Sequence, residues 1–178
     1  YVLQGDRRDA LAAKVCAAHD ATLADASLAA EYGEVDGYYP SQWISPYIDR
    51  RRDNGWGLYG AIGIGRGEKD KMHAQTQRNY RFFDAPVGLL VTLDRRLNTG
   101  SFMDLGMFIQ NILVAARAQG LHTCAQAAFA WFHRVAREQL PMSDEEILVC
   151  GIALGHEDLQ APENAFITPD GYTGVVSV

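Results

Sequence analysis

Positive charge is in short supply in this chain: 16 Lys and Arg stand against 22 Asp and Glu, for a formal net charge of −6 and a pI near 5.3. A nucleic-acid binder gathers basic residues to neutralise phosphates, so no nucleic-acid partner is expected. Long apolar runs are missing as well. Roughly 18 uninterrupted apolar residues are needed to span a bilayer, and the most apolar segment, 104–120, is interrupted by Asp104, Gln110, Asn111 and Arg117. No membrane partner is expected either. Cysteine is scarce: Cys16, Cys124 and Cys150 are odd in number and widely spaced among apolar neighbours. That pattern argues against a disulfide scaffold and for a reducing cytoplasm, with the thiols packed as small hydrophobes. The five histidines (His19, His73, His122, His133, His156) show no His-x-x-x-His spacing, and no Cys-x-x-Cys occurs, so no metal is expected. No signal peptide opens the chain. It begins Tyr-Val-Leu-Gln-Gly-Asp without an initiator methionine, which reads as a strand already under way, with residues upstream of it.

What is present reads as one folded domain, residues 1–178, with 48% hydrophobic residues. Tyr1–Leu3 is predicted as a strand. A helix capped by Asp6 or Asp9 follows to about Ala18, then a second helix over Ala21–Tyr32 that stops at Gly33. Residues 37–67 carry Tyr38, Tyr39, Trp43, Tyr47, Trp56 and Tyr59 with two prolines, a loop-and-helix excursion of the kind that covers a site. Lys69–Tyr80 reads as a polar helix and Pro86–Leu93 as a buried central strand. Asp104–Gln119 is a helix with Ser101 as its N-cap and Gly120 as its stop. His122–Ala125 is a strand, Phe129–Leu140 an amphipathic helix, Glu146–Leu154 a second buried strand, and the rest an irregular tail. The helix over 104–119 is apolar on nearly every side and must be covered on nearly every side. A partner copy would do so, which predicts a homodimer with this helix at the interface.

Three motifs invite a chemical reading. Gly60-Ala-Ile-Gly-Ile-Gly-Arg-Gly67 is not a dinucleotide fingerprint, because position 62 is Ile and position 68 is Glu; a glycine-rich strand or turn accounts for it. Arg50-Arg-Arg52 lies near Trp43 and Tyr47, where it could steer an anionic substrate or cofactor. Asp49 and Asp53 flank the run, so a self-paired, solvated surface is the reading preferred for it. Thr123-Cys-Ala-Gln-Ala-Ala128 is the most suggestive. Its small side chains open the backbone to a flat ring, and the first N–H groups of the next helix lack internal partners, so they suit the acceptor edge of a flavin. Small residues at a strand–helix junction also serve packing alone, and the residues by themselves leave that reading open. His122 and Cys124 share a strand face, but two ligands are too few for zinc and no third group orients a Cys124 nucleophile.

From Tyr38 to Asn164 the chain resembles the nitroreductase family. The resemblance rests on Phe83-Asp-Ala-Pro-Val-Gly-Leu-Leu, Asp104-Leu-Gly-Met-Phe-Ile-Gln-Asn, Ala115-Ala-Arg-Ala-Gln-Gly-Leu-His-Thr-Cys-Ala-Gln-Ala-Ala-Phe, Cys150-Gly-Ile-Ala-Leu-Gly-His and Pro162-Glu-Asn. It implies an α+β fold with a mostly antiparallel sheet flanked by helices, and an intertwined homodimer holding FMN at its interface. It also implies ping-pong reduction of nitroaromatics, quinones or similar acceptors by NAD(P)H. Ala125, Gln126, Ala127 and Ala128 match the family's contact with the flavin edge. Trp43, Tyr47, Arg51 and Trp56 fall in the region that covers the substrate, no protein group is catalytic in the hydride transfer, and Asn111 is expected to be structural. The family's phosphate-gripping Arg-Arg-Ser-type motif and its Asn-x-Gln-Pro-Trp segment would precede Tyr1. Asp170 stands near where a basic residue usually meets the same phosphate. That departure keeps a second reading open, a homologue with a lost or rebuilt FMN site that binds a ligand, works without redox chemistry or completes a partner's site.

Overall fold

The computed structural model describes residues 1–33 and 37–168. In chain order its elements are β1 (Val2–Gln4), α1 (Gly5–Ala24), α2 (Leu28–Tyr32), α3 (Tyr47–Ala61), α4 (Lys69–Tyr80), β2 (Val87–Asp94), α5 (Thr99–Ala118), β3 (His122–Gln126), α6 (His133–Gln139) and β4 (Glu146–Gly155). A 3-10 turn over Ala127–Phe132 joins β3 to α6, and another spans Pro162–Ala165. The chain forms two compact units. One comprises Tyr1–Tyr38 and His73–Glu157, the other Tyr39–Met72 and the residues from Asp158 onward.

The first unit is built on a four-stranded antiparallel sheet in the order β1-β2-β4-β3. The continuous apolar runs of β2 and β4 place them at its centre, buried on both faces. Their register slips once: Val91 faces Cys150 and Thr92 faces Leu148, so Val149 is an extra, bulged residue. The Tyr38 hydroxyl donates to its carbonyl at 2.9 Å. The bulge reverses the pleat, which is why Leu148 and Cys150, two apart, pack into different cores. On one face Leu90 and Leu148 meet Leu11 and Val15 of α1, with Phe129, Phe132, Val135 and Ala136. The opposite face packs Val91, Cys150 and Ile152 against Leu105, Ile109 and Leu113 of α5.

Two glycines on the central strands shape the first core. A Cβ at Gly88 would stand 2.6 Å from the Phe82 ring, and one at Gly151 2.9 Å from Cε2 of Phe129 and nearer still to Cδ2. The bare backbones leave room for those two rings to stack with centroids 4.6 Å apart. Phe82, Phe83 and Asp84 beside this stack adopt left-handed backbone, at φ 54, 49 and 64°, a conformation that costs the two phenylalanines roughly 1–2 kcal/mol each and suits the short polar Asp84 better.

The structure corrects several expected boundaries. The break expected between the first two helices near Ala18 falls later: α1 runs on to Ala24 because the alanine-rich stretch holds no breaker before Asp25, whose Oδ1 takes the Ser27 N–H and hydroxyl, and only Leu28–Tyr32 of the expected second helix stands apart as α2. Neither Asp6 nor Asp9 caps it; Gln4 precedes it and Asp6 sits in the first turn, favoured by the helix dipole. Helix α5 begins at Thr99 behind Asn98, five residues before Asp104, so Ser101 lies within its first turn and is no cap. For the glycine-rich stretch 60–67, expected as a strand or a turn, the turn holds: it is the end of α3 and two turns, with Gly63 and Gly67 at positive φ.

Helices α1 and α4 are fastened by a pair of imidazoles. His19 and His73 stack with centroids 4.2 Å apart and an interplanar angle of 10°. Asp20 Oδ1 lies 2.7 Å from His73 Nε2 and accepts from Gln77 Nε2, also at 2.7 Å. Burial, and then His73, hold the His19 pKa below its ordinary 6.5, with Asp20 acting the other way. The folded chain therefore binds this proton less readily than the unfolded chain. Stability is fully present above about pH 6.5 and declines as pH falls through that value toward the lowered folded one. We expect thermal midpoints to drop between pH 7.5 and 5.5, and to drop less in His19→Phe, which keeps a ring but cannot titrate; equal slopes would remove His19 as the cause.

Candidate functional site

β3 ends the strand order, and its burial changes abruptly at its last residue. Cys124 and Ala125 are exposed, whereas Gln126 is 2% exposed. The Gln126 amide turns inward, Nε2 donating to the Asn79 carbonyl at 2.6 Å, while Oε1 finds no partner. Directly after it the chain enters the 3-10 turn with no side-chain cap at Gln126 (φ −133°, ψ 93°). The first N–H groups of such a turn have no acceptor within it. Half-buried Ala127 and Ala128 open the turn. Its three-residue repeat places Phe129 and Phe132 on the same, buried side, where Tyr80 meets both edge-on at centroid distances of 5.8 and 5.0 Å. The expected helix over Phe129–Leu140 is therefore two pieces, this turn and α6, because the aromatic anchors fit the core only at the tighter pitch. The His133 Nδ1 accepts the Leu148 N–H at 2.9 Å and fixes the start of α6 to β4. The result is a rigid ledge: backbone and methyl groups at Ala125, Ala127 and Ala128, supported from beneath by two phenylalanines.

Among the described residues no acid–base machinery adjoins the ledge. His122 shares the strand with Cys124, yet its Nε2 lies 2.6 Å from Arg117 Nη1 and its Nδ1 accepts from the Glu157 N–H at 3.3 Å. Desolvation pushes the Cys124 thiol up, away from the thiolate a nucleophile requires. All three cysteines are free thiols; buried Cys150 packs as a small hydrophobe with its pKa raised to about 11 by burial, whereas exposed Cys124 does not pack that way. Among the described residues no cluster of His, Cys, Asp and Glu could hold a metal.

In the second unit, Gly57 lies against the Phe166 ring, which a Cβ would approach to 2.5 Å, so α3 is held to the 3-10 turn over Pro162–Ala165 and its neighbour. The Arg51 guanidinium lies 4.8 Å from the Trp43 ring centroid, and Arg66 lies 4.9 Å from that of Trp56. A shallow depression of about 200 Å³ runs along α3, lined by Ile48, Arg51, Arg52, Gly55, Trp56 and Tyr59. Of the residues expected to cover substrate, Arg51 and Trp56 line it and Trp43 backs Arg51, while Tyr47 is 58% exposed and stands outside the lining. Arg52 and Gly55 complete the face, signalled by spacing at i, i+3, i+4, i+7, i+8 and i+11 from Ile48. Asp170 lies outside the described residues.

Residues 1–156 match the sequence model of the nitroreductase family. The chain belongs to that family. Its nitroreductase relatives include a 4-nitrobenzoate reductase of Nocardioides sp. (strain LMS-CY), 42% identical over 163 residues that cover 91% of this chain and 64% of the relative. A nitrobenzene nitroreductase of Ectopseudomonas oleovorans is 37% identical, with coverages of 92% and 70%. The chain thus spans about two thirds of the length of these relatives, and under two thirds of the first. Among solved structures, the FMN and NADPH-dependent nitroreductase NfnB from Sphigopyxis sp. strain HMH superposes with a TM-score of 0.86 at 32% identity, over 95% of this chain and 73% of that one. The expected α+β nitroreductase fold with its antiparallel sheet is thereby borne out. Asn111, expected as a structural residue of α5, is exposed.

Proposed function

We propose that this nitroreductase-family chain is, as a single catalytic domain, part of an FMN-dependent oxidoreductase that reduces nitroaromatic, quinone or related electrophilic acceptors with NAD(P)H in a ping-pong reaction, in a reducing cytoplasm. The observation that carries this reading is the ledge at Ala125–Ala128. Methyl side chains let a planar ring approach the backbone, uncapped N–H groups at the start of the turn suit acceptor atoms on a ring edge, and Phe129 and Phe132 keep those donors in place. These features fit a flavin. When bound, FMN supplies the hydride relay between nicotinamide and acceptor. The chain's own part is to orient the ring and exclude water. Gln126 contributes its backbone, since its side chain is committed to Asn79. The names of the relatives support a nitroarene as acceptor and NADPH as donor.

A homodimer paired through α5 belongs to the same proposal. The helix buries only Ala116 completely and leaves Phe102, Met103, Met107, Phe108 and Val114 exposed, an apolar surface that needs a cover. The test of the whole reading is the absorption spectrum of the purified full-length protein, followed by NADPH oxidation with and without 4-nitrobenzoate. Bound flavin and acceptor-dependent oxidation are expected. A colourless protein that stays apo after incubation with FMN would favour a ligand-binding or non-redox homologue.

A further inference from the structure

We propose that the α3 face formed by Arg51, Arg52, Gly55, Trp56 and Tyr59 is a recognition site for an aromatic carboxylate, with guanidinium groups taking the carboxylate and aromatic side chains taking the ring. The inference deepens the proposed function by naming the acceptor class.

Gly55 is the first argument. A glycine inside a helix costs about 0.5–1 kcal/mol relative to alanine, so its presence needs a reason. For Gly57 the reason is packing against Phe166. For Gly55 there is none: a Cβ built there meets nothing within 4 Å, and its φ is not positive. What the missing side chain does is leave the floor of the depression open. The opening, about 200 Å³, compares with the roughly 150 Å³ of a cavity known to admit benzene. A substituted benzene fits that scale.

Charge is the second argument. The protein carries a net charge of −6, yet this lining holds two arginines and no acid. Among the described residues neither Arg51 nor Arg52 forms an ion pair, and the nearby Asp49 carboxylate accepts the Ser45 hydroxyl at 2.7 Å. The Trp43 ring holds the Arg51 guanidinium, and Arg66 lies over Trp56. Planar guanidinium forks match carboxylates two bonds at a time, and the Trp56 and Tyr59 rings, 6.1 Å apart by centroid, offer apolar faces beside them. An anionic arene engages both halves of the lining, whereas an uncharged one engages the aromatic half and leaves the exposed guanidinium groups to water.

Two measurements on the full-length protein test this. Benzoate, which has no nitro group to reduce, is titrated against tryptophan fluorescence, and 4-nitrobenzoate is compared with nitrobenzene as acceptor. Wild type is expected to bind benzoate and to prefer 4-nitrobenzoate. Arg51→Gln/Arg52→Gln should lower that preference, taken as the ratio of kcat/KM values, by ~10-fold or more, the loss expected for a charge-assisted contact. Gly55→Leu should abolish benzoate binding while the thermal midpoint holds or rises. Unchanged benzoate binding in both variants overturns the proposal, as does a loss that appears only as a higher KM for NADPH relative to NADH, which would assign the arginines to a nucleotide phosphate. A protein that binds benzoate but reduces no acceptor leaves this site standing and removes the enzymatic reading.

Discussion

Met107→Glu, in the full-length protein, is expected to release monomer on sizing with light scattering, or to leave the chain insoluble, with flavin lost in either case. Met107 is 59% exposed, with Met103 (66%), Phe108 (56%) and Val114 (57%) on the same helix. The sheet is served by Leu105, Ile109 and Leu113, so the exposed set has no task within the described residues. Covering one such side chain is worth roughly 1.5–3 kcal/mol, and a two-fold axis counts every contact twice. In the proposed dimer, glutamate would remove that gain and bring a charge whose burial is costlier still, once from each copy. We expect dissociation to strengthen at least ~100-fold, equivalent to about 2.7 kcal/mol. Ile112→Glu, half-buried on the same helix, should act in the same direction. If α5 instead faces water, Met107→Glu will improve solubility and leave the mass and flavin content unchanged.

What the sequence disclosed and what it concealed divide along physical lines. Where local pattern and tertiary need agree, the elements were legible: the polar helix Lys69–Tyr80 was placed to the residue, and the apolar runs of β2 and β4 announced buried central strands. Local pattern misled where the core overruled it. The left-handed backbone at Phe82–Asp84 contradicts the preferences of the two phenylalanines, and Phe82 adopts it where its ring stacks on Phe129. The aromatic turn Ala127–Phe132 has apolar residues three apart, a spacing that suits an α-helix as well as a 3-10 turn. At the candidate site, the small residues of 125–128 were visible, but the inward turn of Gln126 was not, since it depends on which side of β3 meets Asn79. The flanking acids Asp49 and Asp53 make the arginine run read first as solvated surface, and the depression around Gly55 appears only once the bounds of α3 are fixed.

Gly151 gives the sharpest link from core to site. Its missing Cβ makes room for Phe129, and Phe129 in turn supports the turn that presents Ala127 and Ala128. Gly151→Ala drives a methyl into the Phe129 ring, and overpacking of this kind costs about 1–3 kcal/mol. At ~2–4 °C per kcal/mol for a chain of this size, the thermal midpoint should fall by several degrees, and Gly151→Val should fail to fold at all. A smaller ring partner must then relieve the strain. Phe129→Leu alone leaves a void against Phe82 and destabilises, but combined with Gly151→Ala it should cost less than the two single changes together, a favourable coupling of about 1 kcal/mol or more in a double-mutant cycle by denaturant unfolding. Strict additivity would mean that the ring and the glycine do not meet. Flavin retention follows the same path. Gly151→Ala should release FMN more readily although it touches no residue of the ledge, and the double variant, with the strain gone but the aromatic support missing, should recover stability without recovering the cofactor in full.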